Sequence, residues 1–240
     1  MLARAALRLS AIEALCPTAS VLAGTGEGFP TMAQHRVFDS RQVLVNELDK
    51  RLPGTPCLSV YTEDTMVERR GGIATSTIGD ASADLIVVVE IAQKASDEDG
   101  EFAQAVIEGD ALMRLTLEAL GAQVRRVFTR DEKAAGLRRV LMSVQSIKVE
   151  PYALPQYGVR MMRDVMTFTC RIADDKYTDA PGLPEPLKRV AEDLPDGAYA
   201  KAKLIELGAA FAATTRTPLA GMDIHPTAGD GPAITPPIGG

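Results

Sequence analysis

The run from Asp84 to Lys94 constrains the fold more than any other part of the chain. Leu85, Val87, Val89 and Ile91 stand at alternate positions, and a period of two sends them all to one face of a β-strand. That face must be core. Ile86 and Val88 share the opposite face with Glu90, so the second side is only partly covered. A similar pattern lies between Val159 and Ile172, where Met166, Phe168, Cys170 and Ile172 face one way and Thr167, Thr169 and Arg171 the other. Strands with one strongly apolar face need a second layer to bury it.

The helical layer is read from two segments. In Met1 to Leu15, Leu2, Ala5, Leu9 and Ile12 recur at helical spacing and predict an amphipathic first helix. Asp97, Glu98 and Asp99 predict the start of a second, from about Glu98 to Leu120, because carboxylates complement the positive end of a helix. Its buried stripe would be Phe102, Val106, Gly109, Met113, Leu117 and Leu120, and a short basic segment follows it. Between the helices, Gln42 to Leu48 reads as a short helix or an edge segment. Pro53, Gly54 and Pro56 form a turn into a strand at Cys57 to Thr62. Met66 to Ile78 reads as a hairpin with its tip at Gly71-Gly72, and Gly79, Asp80 and Ser82 as the next turn. Val140 to Val144 alternates in one phase and Ile147 and Val149 in the other, which places a bulge near Ser146. The fold class is therefore α+β: a mostly antiparallel sheet with two main helices packed on one face.

Composition changes after about Asp174. Pro181, Pro184, Pro186 and Pro195 exclude a sheet interior, and two short helices are expected, near Pro186 to Leu194 and Ala198 to Ala213. Thr214 to Gly240 holds five Pro and five Gly, a composition that cannot bury enough apolar surface to order itself. The chain divides into a core at 1–174, a helical extension at 175–213 and a Pro/Gly-rich arm at 214–240.

Reactive chemistry is sparse. Three Cys, at 16, 57 and 170, make no closed disulfide set and no CxxC spacing, and they read as small reduced hydrophobes. Cys57, His35 and Asp39 can be drawn as a nucleophilic set, but Cys57 lies in an alternating strand and has no elbow signature. Asp174-Asp175 and Asp97-Glu98-Asp99 lack the alternating ligands and central Gly of a calcium loop. Gly24 to Pro30 looks like a phosphate loop but lacks the following Gly-Lys-Ser/Thr. Arg69-Arg70-Gly71-Gly72 could meet phosphate, or be a basic hairpin tip. No cofactor or metal is expected. No apolar run approaches the roughly 20 residues of a membrane span. Arg8, Ser10 and Glu13 interrupt any secretory h-region, although the Arg spacing leaves a mitochondrial presequence open.

Charge is unevenly placed. Glu90 to Asp110 carries seven acidic residues and one Lys, whereas Arg114 to Lys148 carries eight basic and three acidic residues. These are either two solvated faces or opposite patches that pair head to tail around a ring. The net charge of −6 argues against a broad nucleic-acid surface.

One stretch has a layout of its own. Val37-Phe38-Asp39 is followed by Leu52-Pro53 and then by a strand ending in Val60-Tyr61. An amphipathic helix precedes it; a polar hairpin, an apolar strand, a helix and two final strands follow. Over residues 1 to 174 this order resembles the tail terminator family of long-tailed bacteriophages. The resemblance implies a structural virion protein with no substrate, assembled in the bacterial cytoplasm and placed at the tail-neck junction. It implies a hexameric ring that ends tube polymerisation. Its partners would be further copies of itself, the tail tube protein and a head-completion or stopper protein. DNA would pass only as cargo, and no membrane would be involved. The charges taken as candidate contacts are Arg36, Asp39, Arg41, Arg69, Arg70, Glu90, Arg125, Arg126, Arg138 and Arg139. The 175–240 extension and the Gly24 to Pro30 loop exceed the compact family core; the extension would be an arm reaching a neighbouring subunit or neck protein. Two other classes stay open: another neck component, such as a stopper or tail-completion protein, and a small α+β enzyme, which would need a deep pocket with shifted titratable groups.

Overall fold

The computed structural model describes residues 1–49, 51–69, 79–98, 100–107, 111–131, 134–154, 159–177 and 181–214. Among them lie six strands in one mixed sheet and six helices. The elements are α1 (Ala3–Leu15), α2 (Thr18–Ala23), β1 (Val37–Asp39), β2 (Thr55–Arg69), β3 (Gly79–Asp97), β4 (Gly100–Ala105), α3 (Ala111–Arg130), α4 (Ala135–Val140), β5 (Leu141–Leu154), β6 (Val159–Ile172), α5 (Leu187–Asp193) and α6 (Lys201–Thr214). A 3-10 turn at Val45–Glu47 follows β1.

The sheet order is β1-β2-β3-β6-β5, with β4 also on β3. β1 runs parallel to β2, and the other pairings are antiparallel. Register explains the core. Val60 pairs with Val87, and Val87 with Met166; Leu85 pairs with Phe168. The apolar sets of three strands thus stand side by side on one face, all buried. α1 and α3 close that face with Leu7, Ala11 and Leu15 from the first and Leu117, Leu120, Val124 and Phe128 from the second. Phe128 meets Phe168 edge to face, with ring centroids 5.0 Å apart.

The β-strand readings hold at β3 and β6, and the bulge falls between Val144 and Ser146. Several expectations are corrected. The segment from Gly100 to Ala105 is a strand and not the start of a helix. Gly100 takes a φ of +126°, which suits it to the tight turn from β3 into β4, so the Asp97 and Glu98 carboxylates decorate a hairpin rather than a helix start. The second helix begins at Ala111 and runs to Arg130, absorbing much of the basic segment. Phe102 is accordingly exposed on β4, while Leu117 and Leu120 are buried as expected. Gly79, Asp80 and Ser82 make no turn, because β3 starts at Gly79. In α1 the buried face is Ala3, Leu7, Ser10 and Ala11 with Ala6, Leu9 and Leu15; Leu2, Ala5 and Ile12 are half-buried flanks, since α4 and α5 as well as the sheet press on this helix. The Gly71-Gly72 tip, Gly109 and residues 215–240 lie outside the described residues.

Beyond Glu90 and Arg163, β3 and β6 part. The chain leaving β4 fills the gap: Val106 N–H donates to Ile91 O (2.8 Å), and Met162 N–H donates to Val106 O (2.7 Å). The far end of the molecule is tied by Asp175, whose carboxylate accepts from the N–H groups of Leu2 (2.8 Å) and Ala3 (2.6 Å). α1 has no side-chain cap of its own, so an acid from after β6 satisfies its free donors. α5 then adds Leu187 and Val190 to the main core, and α6 adds Leu204.

Candidate functional site

Residues 34–49 run through β1, the end strand of the sheet, and build two things there. The first is a minor core of Phe38, Val43, Cys57 and Ala92. The second is a cleft of 720 Å³ between α1 and α2, this segment, and the turn at 194–200 that leads into α6. Arg36, Phe38, Arg41, Glu47 and Tyr199 all line it.

The polar groups here pair tightly. Arg41 grips both oxygens of Glu47 (2.6 and 2.8 Å), and Leu44 N–H donates to the same carboxylate (2.8 Å). The Arg41 bond, ahead of the smaller contributions, holds Glu47 below the usual carboxylate range. The Arg41 guanidinium also lies 4.4 Å from the centre of the Phe38 ring. Arg51 forks onto Asp49, both bonds 3.0 Å, which draws the Asp49 carboxyl down to about 2. Asp39 is held by Arg8, whose Nε stands 2.6 Å from Oδ1 with its N–H turned off the oxygen, a charge contact rather than a directed bond. Ser40 Oγ donates to Asp39 (2.8 Å), as does the Tyr199 hydroxyl. Burial, and then that bond to Asp39, push Tyr199 up to about 12. His35 is shifted below its ordinary value, first by burial and next by the neighbouring Arg36 cation.

The candidate contacts from the sequence divide into four groups. Arg36, Asp39 and Arg41 come together at this cleft. Glu90 is buried on the second face and forms an ion pair with Arg163 at 2.6 Å; a charge so placed is withdrawn from any surface contact. Arg138 donates to the backbone oxygen of Asp131, and Arg139 pairs with Asp193 of α5, so both fasten elements within the protomer. Arg125 and Arg126 are exposed on α3. Arg69 ends β2 with its side chain outside the described residues, as is the whole of Arg70.

Arg125 borders a groove between α3 and β5 that continues over Val144, Ile147 and Val149. Beside it β5 is the outer strand of the sheet, and Met142, Val149 and Tyr152 stand exposed along it. The turn between β3 and β4 presents the opposite sign, with Asp97 and Glu98 exposed, while Glu101 beside them is paired with Lys94 of β3. Arg125, Arg126 and Arg130 stand exposed along α3, so the basic surface and the acidic turn lie on different elements.

The nucleophilic set drawn on paper does not assemble. Cys57 is fully buried, its Sγ–H donates to Thr55 O (3.3 Å), and burial followed by the nearby Glu90 carboxylate pushes its thiol up to about 12. A thiol in that state is a poor nucleophile. His35 is exposed on the cleft side, and Asp39 is committed to Arg8, Ser40 and Tyr199. Among the described residues no group of three His, Cys, Asp or Glu is placed to hold a metal ion, and no helix is long and apolar enough to cross a membrane.

Sequence reading missed Arg8, Arg163, Asp175 and Tyr199. Asp175 carried a signal, an acid just past the last strand, but nothing local says that its partner is the first helix. Arg163 meets Glu90 only through the β3–β6 register. No protein-family model matches the chain, and no curated protein matches it in sequence.

Proposed function

We propose that the protein is a structural subunit of tail-terminator type, which assembles head to tail into a ring, caps a phage tail tube and offers its other face to the neck. The observation that carries this reading is the pair of unlike surfaces on one protomer: the basic α3 surface of Arg125, Arg126 and Arg130 beside the outer strand β5, and the acidic β3–β4 turn. Copies that share both can join basic surface to turn and close on themselves. The order of elements supports it as well. A first helix, the Val37-Phe38-Asp39 segment, the strand through Val60-Tyr61, an apolar strand, a helix and two final strands follow in the order of the resemblance, with α2, the 3-10 turn, β4 and α4 interposed. On this reading the work is mechanical and no group turns over a substrate.

Native mass measurement and negative-stain imaging, alone and with purified tail tubes, test it. Rings of six on tube ends are the expected result. Replacing Arg125 and Arg126 by Glu is expected to abolish them. A chain that stays monomeric and leaves tube ends uncapped overturns the proposal.

The cleft favours a second reading, a small-molecule site, because it gathers shifted titratable groups. Turnover that disappears in His35→Ala would support it over the first.

A further inference from the structure

Among the described residues that line the cleft, Arg36 is a cation without an ion-pair partner. Its position is set three times over. Its N–H donates to Ala33 O (3.0 Å), its carbonyl accepts from Leu58 N–H (3.0 Å), and its Nε–H donates to Pro56 O (3.1 Å). Only 7% of the residue is exposed. Yet among the described residues its guanidinium joins no ion pair, and its two terminal nitrogens make no hydrogen bond. Those nitrogens are also absent from the polar atoms that are sealed from solvent without a partner, so they open onto the cleft that the residue lines.

The carboxylates nearby are already committed. Glu47 is taken by Arg41 and Asp49 by Arg51. Glu13, on the far wall, accepts from Thr18 N–H (2.9 Å) and Thr18 Oγ (2.7 Å). Asp49 feels the Arg36 charge but spends its hydrogen bonds on Arg51, and a buried cation with no anion bonded to it directly is costly. A fork held still by its Nε and open at both remaining nitrogens matches two oxygens of one anion.

We infer that this cleft is an oxyanion site, in which the two terminal nitrogens of Arg36 take a carboxylate or phosphate group in bidentate fashion. The walls offer Ile12, Phe38 and Leu194 to an apolar body attached to that group. The volume suits a small molecule or a single inserted acidic side chain. This site is independent of ring assembly and stands or falls apart from it.

The test is a titration of the full chain with sodium phosphate and, separately, sodium acetate. Ionic strength is kept constant with chloride, and the Arg36 Nε–H and His35 ring signals are followed by NMR. Saturable shifts with either anion are expected, and the anion that saturates first names the preferred chemistry. Arg36→Lys, which keeps the charge and loses the fork, is expected to weaken binding about 10-fold or more, and Arg36→Met to remove it. Shifts that rise linearly with either salt, or saturation unchanged in both variants, would overturn the site. Because the wild-type titration decides by itself, a variant that fails to fold leaves the inference exposed to refutation.

Discussion

Asp175 caps a helix that begins 172 residues earlier: its Oδ1 accepts from the N–H of Ala3 at 2.6 Å. Its other oxygen accepts from Leu2. The first helix therefore has no independent start, and its entry into the core depends on the segment that leaves the last strand.

Asp175→Ala is expected to destabilise the fold by about 1–2 kcal/mol, the range for loss of an N-cap acceptor. Asp175→Asn, which keeps an acceptor oxygen, should lose less. Urea unfolding followed by circular dichroism measures both, and an unchanged midpoint in the Ala variant would refute the capping role.

Glu90 and Arg163 face one another across β3 and β6, both largely shielded from water. Arg163 also lies 5.4 Å from the Tyr152 ring centre. Removing one partner leaves a buried charge without its counter-charge, so Glu90→Gln or Arg163→Met should each cost about 3–5 kcal/mol. The double replacement Glu90→Gln with Arg163→Met should cost less than the sum. Additivity in this cycle would mean that the two charges do not couple.

Phe168→Ala removes a fully buried ring that packs on Phe128, and a loss of about 3–5 kcal/mol is expected from transfer and cavity effects together. Calorimetry should show a single lowered transition. A loss below about 1 kcal/mol would place Phe168 outside the cooperative core.

The cysteines give a pH signature. Burial raises Cys57 and Cys170 to about 12 and Cys16 to about 11. With folded values above the unfolded one, near 9.0, the stability they contribute is complete below pH 9.0 and drains away as pH climbs towards 12. Thiol labelling of the native protein at pH 8 should be slow at Cys57 and Cys170 and fast only in denaturant. Rapid native labelling of Cys57 would show that its thiol is not sealed.

What was legible in the sequence was local. Alternation identified β3 and β6 and their core faces, because a strand's period of two acts residue by residue and needs no partner to be seen. The phase break near Ser146 marked its bulge for the same reason. The acids at 97–99 misled, since carboxylates favour a helix start and a solvated hairpin turn alike. Gly100, whose backbone suits the turn, was the cue that separates them. Choosing contact residues by charge alone failed at Glu90, as burial depends on what lies across the sheet.

The chain by itself determined that β3 and β6 are strands, which side of each is apolar, and that an α+β core must form. Tertiary structure alone decided the parallel seat of β1 on β2, the wedge of Val106 between β3 and β6, the reach of Asp175 to α1, and the seat of Arg36 at its cleft. Each of these joins residues far apart in sequence. Their energies come from register, burial and the exclusion of water, which exist only once the layers have closed.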